Sequence, residues 1–542
     1  MPTVISILGG VGLFLLGMSV MTGGLKALAG TKLRATLGRA AATPLSGTFW
    51  GAFITLLVQS SSATTMTTIG LVSAGLLTFA QGLALVFGAN IGTTGTGWLI
   101  ALIGVRVSLT AAALPMIFAG ALLTLLGRGR VSAAGSALAG FALVLFGLTT
   151  LQQGMSGLAE QLHPADLPAV YGAGVSWWSS LLGVLALIVT GLAMTAVMQS
   201  STAAIAVTLS AHFAGAVGLD QACALIIGQN IGTATSSALA AIGASSTAKR
   251  LALAYVLFKL IAAVIALALF PITTPLLLQA AKGVDGVTLL AGYHTAYNVI
   301  GVAVLLPLID RFTAIVERIL PERGSPLTRC LDRAALATPI AAEEAVRRTV
   351  ARSLGAMCGS IDGAITTGAD VARLERASDA LRQAREFMSE ASGPPDSDEE
   401  EDRLTRTLYA LDYTSRLAEV ASEAGQLAPA SGGPDDLRAR ELCGEAMRNA
   451  ALVADEIGAL PGDADQAVPI GEAAAAQAMT QLEHCAGALR DLQKTHRQQV
   501  LGSVASGAMS ADGAIARVDA VRRLEALAYN AWRSAAHLVE HD

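Results

Sequence analysis

A run of hydroxyl and amide side chains interrupts strongly apolar sequence at Gln59–Thr68, which reads QSSSATTMTT. The start of this run returns further along the chain as QSST at Gln199–Thr202. A second polar segment, GANIGTT at Gly88–Thr94, returns as GQNIGTA at Gly228–Ala234, and the two copies are separated by the same interval as the first pair. Two separate motifs that keep one spacing indicate that residues 1–310 contain two copies of one unit.

Apolar content and charge divide the chain into two parts. Hydrophobic residues make up 53% of its 542 residues, and the mean hydropathy of +0.57 is too high for a wholly soluble protein of this length. Residues 1–310 carry a net charge of +6, whereas the remainder carries −11. A membrane part followed by an acidic soluble part is therefore predicted. The 5 cysteines are scattered without a CxxC pair, so neither a disulfide framework nor a zinc site is indicated.

Apolar stretches long enough to cross a bilayer are predicted to form membrane spans. They lie near residues 3–25, 108–126, 131–150, 177–198, 251–270 and 291–310. The apolar stretches on either side of the first polar run are too short to span, which is typical of a re-entrant hairpin or a discontinuous helix. We expect GANIGTT and GQNIGTA to break a helix as well, because Asn followed closely by Gly suits a chain reversal. Close packing by the glycines is the alternative.

The loops between the predicted spans differ in basic residues, which indicates their orientation. Four basic residues follow the first span and pairs precede the spans at 131 and 251, whereas residues 151–175 contain none. The basic loops are placed in the cytoplasm and the amino terminus outside, with Arg106 as the one basic residue left outside. The first span and the span at 131–150 share two glycines at matching positions, yet this rule makes them run in opposite directions. The repeats are therefore predicted to be inverted in topology.

Beyond residue 311, apolar residues recur at three- to four-residue steps in sequence rich in Ala, Arg and Glu, which predicts a bundle of long antiparallel helices. The proline- and glycine-containing segments Ser392–Asp402 and Ala430–Asp436 are typical of solvent loops. The predicted fold is all-α, a polytopic membrane protein of two inverted repeats with discontinuous helices and a cytoplasmic bundle. Its domains are residues 1–128 (first repeat), 129–311 (second repeat plus a final span), 312–340 (linker) and 341–542 (cytoplasmic helical domain).

The interrupted helices predict a binding site, because backbone groups left unpaired at membrane depth cost several kcal/mol each. Helix amino termini attract an anion, whereas carbonyl ends and hydroxyl oxygens suit a hard cation such as sodium. An oxyanion bound together with cations therefore fits these polar runs. Because the runs contain no arginine, the positive charge is expected to come from the cations, which makes anion affinity depend on them. Packing of small residues is the alternative for one such run, and its duplication argues against that.

Three further polar residues lie inside apolar sequence. Lys259 interrupts the stretch at 251–270, where an intramembrane charge is by default a functional candidate. A lysine that snorkels or lines a cavity for structural reasons is the alternative. His294 and Asn298 are four residues apart on one helical face. Both are candidates for a cavity surface, although His294 also suits an interfacial position.

The motifs QSSSATT, GANIGTT, QSSTAA, GQNIGTA and HTAYNVIG together resemble the bacterial form of the type II sodium/phosphate cotransporter family. The resemblance covers residues 1 to about 310 and implies sodium-driven movement of inorganic phosphate in the bacterial inner membrane. AYVLFKL looks like a relative of HTAYNVI with Tyr255 for histidine and Lys259 for asparagine, so the sodium stoichiometry is left open. The second copy also departs at Ala204, where the first has Thr64. The residues that the resemblance assigns to phosphate and sodium binding are Gln59, Ser60, Ser61, Ser62, Thr64, Asn90, Thr93, Thr94, Gln199, Ser200, Ser201, Thr202, Asn230, Thr233 and Asn298.

Residues from about 340 to the end resemble the PhoU-type helical domain that many bacterial members of this family append. PhoU proteins regulate phosphate signalling, and several bind metal through a Glu-x-x-x-Asp motif. Glu375 and Asp379 fit this spacing. The corresponding pair Glu525 and Tyr529 does not, and a solvated helix face is the alternative, so no metal site is predicted beyond this weak candidate pair.

The sequence thus predicts a sodium-coupled phosphate symporter with a regulatory domain. No enzyme activity is expected, because no glycine-rich segment ends in the GK[ST] of a nucleotide-binding loop. The expected partners are inorganic phosphate, sodium as the coupling ion, the lipid bilayer and a cytoplasmic regulatory protein, with no cofactor and no nucleic acid. Oligomeric state is left open, with a homodimer among the alternatives. Two other functions stay open: export of phosphate or transport of another oxyanion, and a membrane phosphate sensor without net transport.

Overall fold

A computed structural model describes residues 2–40, 43–104, 110–161, 163–168, 170, 177–242, 245–321, 325–367, 372–391, 395, 397–423, 433–460 and 471–539. Regular structure within these ranges is helical, without strands, so the prediction of an all-α polytopic protein is confirmed. The chain forms two compact units. Met1–Ile69 with Phe79–Glu322 make up the first unit, and Gly70–Thr78 with Arg323–Asp542 make up the second. Arg106 lies outside the described residues.

The amino-terminal part of the chain, as far as Leu320, forms helices of very different length. They are α1 (Pro2–Ala40), α2 (Pro44–Val58), α3 (Ser61–Ser73), α4 (Phe79–Thr93), α5 (Gly95–Leu99), α6 (Thr110–Leu126), α7 (Arg130–Ala159), α8 (Trp177–Met198), α9 (Ser201–Phe213), α10 (Leu219–Ala240), α11 (Ser246–Ala280), α12 (Gly286–Leu305) and α13 (Ile309–Ile319). A π-helical turn, Ile100–Gly104, follows α5. Short 3₁₀ turns occur at Pro164–Asp166 and Leu306–Leu308.

Six helical segments among the described residues are long and apolar enough to cross a bilayer. They are Thr3–Leu28, Phe79–Leu102, Arg130–Ala159, Trp177–Met198, Ser246–Ala280 and Gly286–Ile319. Five of them coincide with predicted spans. The predicted span at 108–126 corresponds to α6, which is shorter in the described residues. The segment Phe79–Leu102 was not predicted, because it contains the motif GANIGTT that we expected to break a helix.

The chain reversal expected at GANIGTT and GQNIGTA is wrong. Helix α4 ends at Thr93, near the end of the first motif, but Thr94 keeps right-handed helical dihedral angles and α5 follows from Gly95, while α10 runs through the second motif without interruption. The side-chain NH₂ group of each asparagine has a partner in its own helix. Asn90 Nδ2 donates to the Val86 carbonyl at 2.7 Å, and Asn230 Nδ2 donates to the Ile226 carbonyl at 3.0 Å. The side-chain amide therefore does not compete with the helical backbone, and a chain reversal has no advantage here.

The glycines of these motifs instead allow close helix packing, which was the alternative interpretation. A Cβ atom added to Gly88 would lie 1.9 Å from the Thr48 carbonyl oxygen in α2. A Cβ atom added to Gly228 would lie 1.9 Å from the Ile188 carbonyl oxygen in α8. Small residues are the usual means by which membrane helices approach this closely. The packing holds α4 and α10 against the two helices that end at the Gln-Ser motifs.

Helices α1 and α7 pack along their length in opposite directions. Gly10 lies against Leu151, and Gly24, further along α1, lies against Ala137, earlier in α7. The glycines that matched in sequence therefore lie at one antiparallel interface. Buried apolar side chains of these two helices, among them Phe14 and Leu148, belong to the core of the first unit.

The second unit contains long helices. They are α14 (Pro339–Thr367), α15 (Ala372–Ser389), α16 (Asp398–Glu423), α17 (Pro434–Gly458), α18 (Glu472–Ala505) and α19 (Ala511–Val539). The segment Gly70–Thr78 belongs to this unit, where Ser73 Oγ donates a 2.9 Å hydrogen bond to Asp332 Oδ2. The predicted helical bundle is therefore present, and it also includes a short segment from the amino-terminal sequence.

A buried charged cluster joins α17, α18 and α19. The Oδ1 atom of Asp436 lies 3.0 Å from Nε2 of His496, and its Oδ2 atom accepts hydrogen bonds from the Arg517 guanidinium and from the Gly433 N–H. Both Asp436 and His496 are buried. Breaking such a cluster leaves its other members without partners, which destabilises the fold.

This cluster predicts a specific loss of stability in acid. Burial opposes ionisation of Asp436, but the hydrogen bond from Arg517, that of the Gly433 N–H and the nearby positive charge hold the pKa of the carboxyl below its usual value. A lowered folded-state pKa stabilises the fold above the unfolded-state pKa, and this stability is lost as pH falls through the folded-state pKa. We expect lower amide-exchange protection factors, which are corrected for the intrinsic exchange rate at each pH, in α17–α19 below about pH 4. Asp436→Asn is expected to destabilise these helices at neutral pH by about 2 kcal/mol and to weaken their acid sensitivity.

Asp491→Asn is the matched control, since the Asp491 side chain is 80% exposed and pairs with its helical neighbour Lys494. It should leave the protection factors of α17–α19 at their wild-type values, both at neutral pH and below about pH 4. Wild-type exchange in Asp436→Asn would show that the cluster does not stabilise this unit.

Candidate functional site

Two glutamines mark the points where membrane helices stop and restart. Helix α2 ends at Gln59, whose φ of 56° and ψ of 29° are left-handed. Gln199, between α8 and α9, has a φ of 49°. Among the described residues these two are the non-glycine positions with positive φ. A long side chain in this conformation carries a steric cost, and such strained positions concentrate at functional sites.

The two glutamine side chains make the same contacts. Gln59 Nε2 donates to the Leu56 carbonyl at 2.6 Å, and Gln59 Oε1 accepts from Thr96 Oγ1 at 2.5 Å. Gln199 Nε2 donates to the Ala196 carbonyl at 2.5 Å, and Gln199 Oε1 accepts from Ser236 Oγ at 3.0 Å. Leu56 and Ala196 are separated by the same interval as the two glutamines, and so are Thr96 and Ser236. The duplication therefore extends to the hydrogen bonds.

The serine after each glutamine starts the next helix. Ser60 Oγ accepts a hydrogen bond from the Ala63 N–H at 3.3 Å, and Ser200 Oγ accepts one from the Ala203 N–H at 3.2 Å. Serine is a preferred amino-terminal cap because its hydroxyl satisfies one of the unpaired first-turn N–H groups. The remaining first-turn N–H groups of α3 and α9 have no acceptor within their helices. Each motif therefore presents a helix amino terminus with its partial positive charge.

Both motifs line one cavity of about 390 Å³ in the first unit. This volume is within the range of small-ligand sites. The lining residues come from α1, α3, α8, α10 and α11 and from both Gln-Ser motifs: Leu15, Met18, Ser19, Thr22, Gly23, Lys26, Gln59, Ser60, Ser61, Ser62, Thr65, Thr195, Gln199, Ser200, Ser201, Thr202, Thr233, Ser236, Ser237 and Tyr255. Two motifs that lie far apart in the sequence thus converge on one polar cavity.

Some predicted site residues lie behind the cavity rather than on its surface. Thr64 is buried, accepts a 2.9 Å hydrogen bond from Thr55 Oγ1 and donates to the Ser60 carbonyl. Thr93 and Thr94 donate to the Ala89 and Ile91 carbonyls of α4. These three hydroxyls make hydrogen bonds within and between helices. Ala204, at the position equivalent to Thr64, is also fully buried.

The two motif asparagines belong to a buried polar cluster next to the cavity. Tyr255, which lines the cavity, donates its hydroxyl to Asn90 Oδ1 at 3.1 Å and also contacts Thr233 Oγ1 at 3.2 Å. Asn230 Oδ1 accepts from Lys259 Nζ at 3.4 Å and from Asn298 Nδ2 at 3.3 Å. Tyr255 therefore connects the cavity surface with the cluster behind it.

His294 is buried, and its Nδ1 atom has no hydrogen-bond partner among the described residues. Its nearest neighbours include Gly97, where an added Cβ atom would lie 3.9 Å from this nitrogen. It is therefore an interior residue, whereas the sequence suggested either the cavity surface or an interfacial position. It does not line the cavity.

The sequence interpretation missed the contribution of α1. Ser19, Thr22 and Lys26 line the cavity, although Lys26 entered the sequence interpretation only as a marker of orientation. Small hydroxyl residues within the first apolar stretch were the available signal. Ser236 and Ser237 were missed as well, although Ser236 is paired with Gln199.

The weak metal candidates of the second unit are ordinary surface residues in this structure. The side chain of Asp379 is half exposed and accepts hydrogen bonds from Arg382 and Gln383. These contacts hold the pKa of the Asp379 carboxyl below its usual value. Glu375 is exposed on the same helix. Within the described residues, no three His, Cys, Asp or Glu side chains gather as a metal site would require.

A family profile and several known proteins are similar to parts of this chain. The profile of the Na+/Pi-cotransporter family matches residues 13–153 and 181–280, which include both Gln-Ser motifs. The chain is 28% identical over 310 residues to YqeW of Bacillus subtilis, a protein named as uncharacterized, covering 57% of this chain and 96% of YqeW. No solved structure matches the chain.

Two further relatives have names that refer to phosphate. YjbB of Escherichia coli K12, provisionally named an inorganic phosphate export protein, is 30% identical over 358 residues, 65% of this chain and 63% of YjbB. The chain thus spans slightly less than two thirds of YjbB. The human sodium-dependent phosphate transport protein 2B is 44% identical over 62 residues, 11% of this chain and 9% of its own length. Over residues 13–153 and 181–280, the chain is similar to the Na+/Pi-cotransporter family.

Proposed function

We propose that this protein is a secondary transporter that moves inorganic phosphate together with sodium across a bacterial inner membrane. The observation that carries the proposal is the cavity lined by both Gln-Ser motifs. It lies where four helix ends meet, those of α2, α3, α8 and α9. Helix ends that meet at membrane depth are the usual construction of substrate and ion sites in secondary transporters.

Phosphate is the substrate that the donors of this cavity suit. The amino termini of α3 and α9 offer backbone N–H groups and partial positive charge, and the hydroxyls of Ser61, Ser62, Ser201 and Thr202 add further donors. Lys26 is the charged residue among the described lining residues, and it is half-buried. An oxyanion with several acceptor oxygens can satisfy these donors at once.

Sodium is the coupling ion that the acceptors of the cavity suit. Helices α2 and α8 end at the cavity, where the Leu56 and Ala196 carbonyls accept the glutamine side chains and the carbonyls after them lack intrahelical partners. Carbonyl and hydroxyl oxygens are ligands for hard cations. Because a bound cation adds positive charge beside the anion, each raises the affinity for the other. This mutual dependence supports symport.

The topology proposed for the first unit is an inverted repeat with the amino terminus outside and the carboxy-terminal unit in the cytoplasm. The antiparallel packing of α1 and α7 supports this arrangement, as does the equal spacing of the glutamine contacts. For the second unit, we propose a PhoU-like regulatory role with a cytoplasmic partner. The helices α14–α19 support that resemblance.

Export is a second candidate direction, favoured by the similarity to YjbB. Coupling alone does not fix direction, because the same carrier runs either way according to the gradients of its substrates. The second unit would then couple efflux to the phosphate supply of the cell.

The test is uptake of radiolabelled phosphate by proteoliposomes of the full-length protein, with and without an inward sodium gradient. We expect accumulation that depends on the sodium gradient and is inhibited by arsenate but not by sulfate. Vesicles preloaded with phosphate and given an outward sodium gradient should release it faster than vesicles without one. Sodium-dependent phosphate binding without flux would support a sensor instead. Absence of both binding and flux would mean that phosphate is not the substrate.

A further inference from the structure

Lys259 is a buried cation in the middle of a membrane helix. It lies in α11, and its side chain is 2% exposed. No carboxylate of the described residues lies within ion-pair distance of its Nζ atom. The atom instead donates to Asn230 Oδ1 at 3.4 Å and lies 5.5 Å and 5.8 Å from the ring centres of Tyr255 and Phe258. Ring faces and an amide oxygen are neutral groups that attract a cation.

Asn230 Oδ1, which accepts from Lys259, also accepts from Asn298 in the next helix, α12. Asn298 Nδ2 in α12 donates to the same Asn230 Oδ1 atom at 3.3 Å. Lys259 and Asn298 occupy corresponding positions of the related segments AYVLFKL and HTAYNVI. The Oδ1 atom of Asn298 is buried and has no hydrogen-bond partner among the described residues. A buried carbonyl oxygen without a donor is a ligand suited to a hard cation.

The two motif asparagines differ in what faces their side-chain oxygens. Asn90 Oδ1 receives the neutral hydroxyl of Tyr255, whereas Asn230 Oδ1 receives the amine of Lys259. Both asparagines are anchored in the same way by their Nδ2 atoms. The second half therefore presents its amide oxygen to a cationic side chain where the first half does not.

A lysine at this depth is costly, and intramembrane charges persist chiefly where function uses them. We propose that Lys259 is a built-in cation that takes the place of one coupling sodium ion at the side-chain oxygens of Asn230 and Asn298. This inference rests on the proposed sodium-coupled transport of phosphate. It follows that the protein moves fewer sodium ions per phosphate than it would with asparagine at residue 259, because the ammonium charge stays in the protein.

The experiment measures the coupling ratio in proteoliposomes of the full-length protein. Radiolabelled phosphate flux is followed while the sodium gradient is varied at a fixed membrane voltage, and the ratio is read from the gradient at which net flux is zero. In Lys259→Asn the number of sodium ions per phosphate should rise by about one, because the added amide oxygen opens a site for an ion. Lys259→Arg keeps the charge and should keep the wild-type ratio. Lys282→Asn, at an exposed lysine, is the matched control and should also keep it.

An active Lys259→Asn variant with the wild-type ratio would overturn the inference while leaving the proposed function intact. If Lys259→Asn does not fold, Lys259→Gln takes its place with the same expected rise in the ratio. If both neutral variants unfold while Lys259→Arg folds, Lys259 is a structural charge and the inference is wrong. A wild-type protein without sodium-dependent phosphate binding or flux would contradict the proposed function itself, and the inference with it.

Discussion

Replacing Gln59 or Gln199 with alanine is expected to reduce sodium-dependent phosphate flux by about tenfold or more, since each change removes two hydrogen bonds that contribute about 1 kcal/mol apiece. The side chain of each glutamine holds a helix end to a second helix, through Thr96 in one half and Ser236 in the other. Without it, the amino termini of α3 and α9 lose their fixed position at the cavity. Initial rates of radiolabelled phosphate uptake, normalised to folded protein, test this expectation.

The backbone and side-chain roles of these glutamines can be separated. Glycine adopts the left-handed conformation without a Cβ penalty, so Gln59→Gly removes the side chain while relieving backbone strain. We expect Gln59→Gly to be at least as stable as Gln59→Ala and equally inactive. Gln161→Ala changes an exposed glutamine outside the cavity and should transport normally. Normal flux in both Gln59→Ala and Gln199→Ala would remove these residues from the site.

Gly88→Ala and Gly228→Ala are expected to destabilise the first unit by about 3 kcal/mol or more, because the added methyl group overpacks a tight interface. The atom that the new Cβ would meet at 1.9 Å is a backbone carbonyl oxygen in each case. A backbone oxygen cannot rotate away as a side chain does, so the two helices must separate. The expected result is a lower thermal unfolding temperature in detergent and a smaller monodisperse fraction in size-exclusion chromatography.

Gly12→Ala is the matched control for this pair. Gly12 is also a glycine of a membrane helix, but an added Cβ atom there meets nothing within 4 Å. Since alanine has the higher helix propensity, this variant should be as stable as the wild type or more so. Wild-type stability in Gly88→Ala and Gly228→Ala would mean that α2 and α4, and likewise α8 and α10, are packed less closely than described.

The regular features of this protein were accessible from the sequence because they depend on local pattern. Apolar length predicted most of the spans, the short apolar stretches around the first polar run predicted the helix interruption at Gln59, and the duplication of the motif extended that prediction to Gln199. Ser60 and Ser200 follow the local rule for helix caps. The break expected at Asn90 and its repeat failed, because the same Asn-Gly pattern suits both a turn and a tightly packed helix. Only the neighbouring helix distinguishes the two outcomes.

The sequence alone determined that the membrane part contains two copies of one polar motif, and that each copy interrupts a helix. Only the tertiary structure decided that both copies line one cavity, that α1 contributes Lys26 to it and that Thr64 lies behind it. It also decided that Lys259 and Asn298 meet at Asn230. The interruption at each Gln-Ser motif is encoded within a few residues, whereas convergence of the two motifs depends on packing between segments far apart in the chain.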